Sequence, residues 1–241
     1  MTRLTFPPAL HAEWIKIRTL RPQIGALAAV PLATVAFSAL AGLGAGDDDI
    51  LFSAFFGVNF GQIAAIAFGT TAVSAEFHTG ALRLSLAAVP RRGSWFAAKL
   101  TAIGLPVLAV GLVTGLTALA AGAMTVGPQA RDATPAEWVR GTAGCAVYLT
   151  LMALLAAGLT TVLRSGVGAL SILVPFLLLV SFVLGDVNGN AADFLPDRAG
   201  QVVLHSSWDG TLGPWTGLAV SALWTAAAVA AGLWRVRVRD A

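Results

Sequence analysis

Charged side chains are scarce in this sequence. Only 11% of its 241 residues are Asp, Glu, Lys or Arg, whereas 57% are hydrophobic and the mean hydropathy is +0.80. Soluble domains carry about 25% charged residues, and a water-soluble chain of this composition would expose too much apolar surface. The scarcity excludes an ordinary soluble domain and indicates a protein whose solvent is the lipid bilayer.

Asp, Glu, Lys, Arg and His are missing altogether from six long windows. The shortest window has 21 residues, and a helix of that length spans about 30 Å of hydrocarbon. A helix of a soluble bundle would instead carry a charged face. We therefore predict an all-α membrane protein with one transmembrane domain over residues 1–241. Its six spans are expected at about 23–44, 51–74, 95–124, 138–162, 166–185 and 214–234.

Groups that define several enzyme classes are also absent. The single cysteine, Cys145, excludes an intrachain disulfide and a cysteine metal cluster. Neither lysine belongs to a GxxxxGK[ST] loop, so ATP hydrolysis by that route is not expected on this chain. The windows hold no acid or histidine for proton coupling or hydrolysis, although Na⁺ coupling through backbone carbonyls stays open. We expect no catalytic residue, no metal and no cofactor on this chain, which takes its energy from elsewhere.

The basic residues predict an orientation. Six spans place both termini on one side, and if that side is the cytoplasm, 12 of the 15 Lys and Arg residues face inward. This is a strong positive-inside bias. We therefore expect a multi-pass protein of the cell membrane with both termini in the cytoplasm. Tryptophans near the window ends are expected to be interfacial anchors: Trp14, Trp95, Trp138, Trp215 and Trp234.

An amphipathic pattern precedes the first window. Leu10, Trp14 and Ile17 recur at helical spacing, and Glu13 and Lys16 lie off that stripe. The pattern predicts a cytoplasmic helix that either lies flat in the interface or only leads into the first span. About twenty residues precede the window, which is too many for a typical signal peptide.

A few polar and small residues interrupt the spans. Asn59 and Gln62 lie one turn apart in the second span, where they either hydrogen-bond a neighbouring helix or line a polar path. The acidic turn 47–49 is expected to be a solvated turn in preference to a cation site. Small-xxx-small pairs favour close helix packing, within one copy or between two: Gly57/Gly61 and Gly111/Gly115.

A basic segment separates the second and third spans. Residues 76–92 read EFHTGALRLSLAAVPRR, with apolar residues at helical spacing from Phe77 and a terminating Pro90. This predicts a cytoplasmic helix tied to two spans, so that a push on the helix moves both. A basic loop held on anionic headgroups explains the same residues equally well.

Three stretches resemble permease subunits of the ABC-2 type transporter family. After the second span, that family has an acidic residue, an aromatic, a TG pair and a PRR-like end, all present in AEFHTGALRLSLAAVPRRGSWFAAKL. AEWIKIRTLRP resembles the family's approach to the first span. FLPDRAGQVVL resembles its element before the sixth span, with Asp197 and Arg198 where small polar residues are usual. The resemblance covers nearly the whole chain.

The resemblance implies a bacterial six-span half-transporter with a membrane-surface N-terminal helix and a re-entrant outer element. Such a permease is usually part of an exporter, and a separate ABC ATPase subunit holds ATP and Mg²⁺. A second permease copy is implied, with a homodimer expected and a heterodimer open; no nucleic-acid partner is expected. Asn59 and Gln62 become candidates for the translocation path. The implied ATPase-coupling residues are Glu76, Phe77, Thr79, Gly80, Arg83, Arg91 and Arg92.

A second class of function fits the same sequence. The chain could be a membrane component without transport, such as a sensor or immunity subunit, or a small secondary carrier. Co-purification of an ATPase encoded beside it would separate these classes. The transported substrate cannot be read from spans of such generic composition.

Overall fold

The computed structural model of this chain describes residues 6–43, 49–78, 80, 85, 91–126, 134–177, 189–208 and 210–238. Over these residues the protein is all-helical and contains no strand. Its α-helices, numbered in chain order, are α1 (Phe6–Thr19), α2 (Arg21–Gly42), α3 (Ile50–Phe55), α4 (Val58–His78), α5 (Arg92–Val126), α6 (Pro135–Leu163), α7 (Gly166–Pro175), α8 (Pro196–Gln201) and α9 (Pro214–Val238).

Five helical segments are long and apolar enough to cross a membrane. They are α2, the combined α3–α4 segment Leu51–Phe77, α5, α6 and α9. The predicted all-α class and transmembrane character are thereby confirmed. The expected fifth span, 166–185, begins as the apolar helix α7, and residues 178–185 lie outside the described part of the chain. The count of six spans stays a prediction.

Helix α6 lies at the centre of the bundle. It packs against α4, α5 and α9, while α2 packs on α4 and α5. Buried residues occur along most of α6, among them Tyr148 and Met152. Large apolar side chains on the outer helices, such as Leu32 and Leu223, are instead exposed. An apolar exterior of this kind is stable in lipid, where burial within protein is not required.

The small-residue pairs bring helices together inside one copy. A Cβ atom at Gly57 would lie 1.8 Å from the carbonyl oxygen of Thr34 in α2. A Cβ atom at Gly111 would lie 2.8 Å from Cα of Ala146 in α6. Because contacts this short are sterically forbidden, only glycine permits these helix crossings. The predicted close packing is therefore present between the helices of a single chain.

A compact element of short helices precedes α9. A 3₁₀ helix (Gly189–Phe194), α8 and a second 3₁₀ helix (Val202–Leu204) follow one another, and this element packs against α6 and α9. The hydroxyl of Ser221 in α9 donates to the carbonyl oxygen of Pro196 at 2.6 Å. The sequence predicted a broken apolar element here, and its re-entry into the bilayer stays a prediction.

Two local predictions differ from the structure. The helix expected to begin at Glu76 does not start there, because α4 continues to His78 and the chain then turns at Gly80 with a left-handed φ of 66°. Ser85 is helical, while residues 81–84 and 86–90 are outside the described residues. Trp95, expected to be an interfacial anchor, is buried against Phe96.

Candidate functional site: a buried ionic cluster

Helix α1 turns an acidic residue toward the protein. Its buried residues are Ala9, Glu13 and Ile17, which recur every four residues on one face that packs on α5. The apolar stripe expected from the sequence is divided, since Ile17 faces inward whereas Trp14 is 39% exposed. Helix α1 is oriented with Glu13 inward because its carboxylate pairs there with Lys99 and Lys16.

Four charged side chains from three helices meet in what we call the ionic cluster: Glu13 and Lys16 of α1, Glu76 of α4 and Lys99 of α5. The Lys99 ammonium donates to Glu76 Oε1 at 2.7 Å and to Glu13 Oε2. The Lys16 ammonium donates to Glu13 Oε1 at 2.9 Å and to Glu76 Oε1 at 2.7 Å. Each lysine therefore bridges both carboxylates, and the formal charges cancel.

Three of the four members of the ionic cluster are shielded from solvent. Glu13, Glu76 and Lys99 are only 4%, 2% and 3% exposed. Charges buried this deeply require partners, and removing one partner from a buried pair typically costs about 3–5 kcal/mol. The cluster therefore fixes the position of α1 relative to α4 and α5.

Lys16 lies at the rim of the ionic cluster, outside the spans. Burial lowers the pKa of its ammonium, but hydrogen bonding to Glu76 and the charge of Glu13 outweigh that effect and raise the pKa above its usual 10.5. Lys16 is consequently charged at neutral pH, and its attraction for both carboxylates is fully present there.

Further contacts extend the cluster into the segment 76–92. The Ser85 hydroxyl donates to Glu76 Oε2 at 3.3 Å, so the basic segment is tied back to the end of α4. The Lys99 ammonium also lies 5.9 Å from the centroid of the Trp95 ring, at the distance of a cation–π contact. Through these contacts the ends of α1, α4 and α5 and the residue Ser85 are held together at one point.

The predicted coupling residues fall into different environments. Glu76 is inside the ionic cluster, and Phe77 is partly buried against the core. The Arg92 guanidinium donates to the carbonyl oxygens of Val236 at 2.8 Å and Arg237 at 3.4 Å. These are free acceptors at the C-terminus of α9, where a cation is favoured. Arg92 therefore joins the start of α5 to the end of α9.

The remaining coupling residues are at the surface or undescribed. Gly80 and Arg91 are exposed. Thr79 and Arg83 lie outside the described residues. Of the predicted set, Arg91 is thus the described charged side chain that is free to meet a partner protein at the surface.

The two amides of the second span have unequal positions. Gln62 is 2% exposed and accepts a hydrogen bond from the Tyr148 hydroxyl, which in turn accepts one from Gln201 Nε2 at 3.1 Å. Gln62 thereby links α4 to α6 and α8 within one copy. Asn59 is half-buried, and its amide donates to the carbonyl oxygen of Phe56 at 3.0 Å.

A second polar site lies at the opposite end of the bundle. Asp49 caps α3 by accepting from the Phe52 N–H at 2.9 Å, and it contacts His205 Nδ1 at 2.9 Å and the Ser206 hydroxyl at 2.7 Å. We call Asp49, His205 and Ser206 the outer latch. Burial raises the pKa of Asp49, but its hydrogen bonds, that to His205 first, outweigh burial and hold the pKa at about 2.

Three residues of the ionic cluster were not among the predicted site residues: Glu13, Lys16 and Lys99. Their separation along the chain hides them, since Lys99 lies 86 positions from Glu13. One signal was available in the composition. Both lysines of the chain and two of its three glutamates belong to the cluster, whereas the other thirteen cations are arginines.

The described helices define a multi-spanning membrane protein with a buried ionic joint at its basic end. Among the residues that the structure describes, no group of three His, Cys, Asp or Glu side chains is placed to hold a metal ion. Comparison with protein-family models found no match, and comparison with curated proteins found no relative.

Proposed function

We propose that this chain is the membrane-spanning permease subunit of an ABC-2 type exporter, driven by a separate ATPase subunit. The observation that carries this proposal is the ionic cluster, which fastens the helix α1 to the ends of two apolar spans. Such a joint is what a passive membrane subunit needs if a partner is to move its helices from outside the bilayer.

The ionic cluster favours rigid-body motion. Because Glu13, Glu76 and Lys99 are buried together, separating α1 from α4 or α5 would leave an unpaired charge. The three helix ends are therefore expected to move as one unit when segment 76–92 is pushed. Packed elements of this kind shift as rigid bodies instead of deforming.

The contact of Arg92 adds the last helix to this unit. Its hydrogen bond to Val236 connects the start of α5 with the end of α9. A force applied near Arg91 would thus be felt by α1, α4, α5 and α9. This supports the coupling role that the resemblance assigns to the segment.

The spans themselves supply no energy source. The charge-free windows contain no carboxylate or histidine to follow a proton gradient, and neither lysine lies in a nucleotide-binding loop. The proposal accordingly assigns ATP and Mg²⁺ to the partner ATPase. It includes six spans, cytoplasmic termini in the cell membrane, a second permease copy and a path lined by the second and fifth spans.

The test is co-purification with the ATPase encoded beside this chain, followed by ATP hydrolysis in nanodiscs. Arg91→Glu should weaken ATPase binding about tenfold, since it inverts a charge at the proposed interface. Ala136→Glu, which adds an acidic side chain at an exposed position at the other end of the bundle, is the control and should bind normally. If no ATPase co-purifies, or if Arg91→Glu binds as well as the native chain, the proposal is wrong and a sensor or carrier function gains support.

A further inference from the structure

Two apolar hollows adjoin beside α1, where it runs along α5 and α2. The first has a volume of about 580 Å³ between α1 and α5, and the second about 400 Å³ between α1, α2 and α5. Trp14 and Pro106 line both, so they form one continuous groove, here called the α1–α5 groove. Each hollow has the size of a small-molecule site, about 300–1,000 Å³.

The groove combines apolar walls with a basic mouth. Its lining is mainly aliphatic and aromatic, with Arg18 at one end and His11 at the other. Arg21, the first residue of α2, is exposed three positions after Arg18. Among the residues that the structure describes, neither arginine has an ion-pair partner.

The acidic residue of α1 is kept away from this groove. Glu13 points into the ionic cluster, and the residues lining the groove include no acid. The groove therefore presents only positive charge beside an apolar trough. That pattern is complementary to a molecule with a hydrocarbon chain and an anionic head.

We propose that the α1–α5 groove is a binding site for an anionic phospholipid of the adjacent leaflet. One acyl chain lies along Trp14 and Pro106, and the headgroup phosphate is held by Arg18 and Arg21. Trp14 is 39% exposed, which suits an indole at the boundary between chains and headgroups. The groove opens at the basic end of the bundle, where a leaflet rich in anionic lipid is attracted.

The bound lipid would act on the same helix that the ionic cluster holds. Glu13 fastens α1 to the bundle, and the lipid would fill the gap that remains beside this contact, between α1, α2 and α5. A bound lipid should therefore stabilise α1 in its packed position against α5. This inference does not depend on the identity of any ATPase partner.

The test uses bromine-labelled lipids that quench tryptophan on contact. Phosphatidylglycerol and phosphatidylcholine with brominated chains are titrated separately into the purified full chain in mixed micelles. The Trp14 contribution is the difference between the native chain and Trp14→Phe. Trp234→Phe removes another exposed tryptophan at the same end and serves as the control. We expect half-maximal quenching of Trp14 at an about twentyfold lower fraction of phosphatidylglycerol than of phosphatidylcholine, since two arginines contribute about fivefold each.

The arginines are tested in the same assay. Arg18→Gln and Arg21→Gln should each reduce the preference for phosphatidylglycerol over phosphatidylcholine about fivefold. This is the size expected for one basic side chain near anionic lipid. Arg91→Gln, which neutralises an exposed arginine outside the groove, should leave it unchanged, and added salt should weaken it. Equal quenching of the native chain by both lipids would overturn the proposal. So would the absence of Trp14 quenching by either lipid, which would indicate that another protein surface covers the groove.

Discussion

The two ends of the bundle are held by different kinds of polar contact. At the basic end, four formal charges from three helices are gathered in the ionic cluster, and three of them are almost fully buried. At the opposite end, the outer latch uses one carboxylate, Asp49, whose side chain is 17% exposed. Its partners are the His205 ring, the Ser206 hydroxyl and the backbone N–H groups of Phe52 and Ser206.

The two ends are therefore expected to differ in rigidity. A buried cluster cannot be opened without leaving a charge unpaired in an apolar environment, so it resists separation of its helices. A partly exposed latch can exchange its hydrogen bonds for water at smaller cost. We therefore expect the basic end to transmit motion and the outer end to open and close.

The largest effect should follow from breaking the ionic cluster at its centre. Lys99→Met removes the cation that bridges two buried carboxylates, and we expect the free energy of unfolding to fall by about 3–5 kcal/mol. Thermal unfolding in detergent measures this loss.

The matched control replaces all three buried charges together, as Glu13→Gln, Glu76→Gln and Lys99→Met. Because no buried charge is then left unpaired, this variant should recover much of the lost stability. A single variant, Lys99→Met, that is as stable as the native chain would show that the cluster does not hold the helices.

A smaller effect should follow from removing the outer latch. Asp49→Ala deletes both the cap of α3 and the contacts to His205 and Ser206, which we expect to cost about 2–3 kcal/mol locally. Hydrogen exchange should accelerate in residues 202–206 and stay slow in α1. Equal acceleration at both ends would mean that the two ends are not independent.

Acid should weaken the outer latch in a defined range. The pKa of Asp49 is lowered from 3.8 to about 2 in the folded protein, so the stability it contributes is fully present above pH 3.8 and is lost as the pH falls toward 2. The loss amounts to about 2 kcal/mol. Hydrogen exchange of residues 202–206 between pH 4 and pH 2 measures it, and Asp49→Asn should abolish the pH dependence assigned to this group.

Alkali should act on the other end, with a smaller effect. Because the pKa of Lys16 is raised above 10.5, its contribution is intact below pH 10.5 and is lost as the pH rises through the folded value. A spin label at the exposed Ala12, in a chain with Cys145→Ser, should become more mobile as the pH rises above the folded pKa of Lys16. A label at Ala136 on α6 is the control, and equal changes at both labels would contradict a local effect of Lys16.

The transmembrane helices could be predicted from the sequence, but the ionic cluster that connects them could not. Windows without charge predict apolar helices because any charge in hydrocarbon is costly, and five such helices are present. The motif identified Glu76 as a site residue. It did not identify the partners of Glu76, because Lys16 lies 60 positions away along the chain. The periodicity of the sequence indicates which face of a helix is apolar, but it does not indicate which cation will pair with a buried acid. The orientation of α1 depends on such a pair, that of Glu13 with Lys99.

We expect the ionic cluster to pass motion from the basic end to the outer end. This is tested by the distance between spin labels at Leu40 of α2 and Val139 of α6, which are exposed near the outer end. It is made in nanodiscs with the partner ATPase, before and after ATP and vanadate, with the native cluster and with Glu76→Gln. We predict a nucleotide-dependent change in distance with the native cluster and a much smaller change in Glu76→Gln, with the ATPase bound in both. The same change in both chains would contradict the claim.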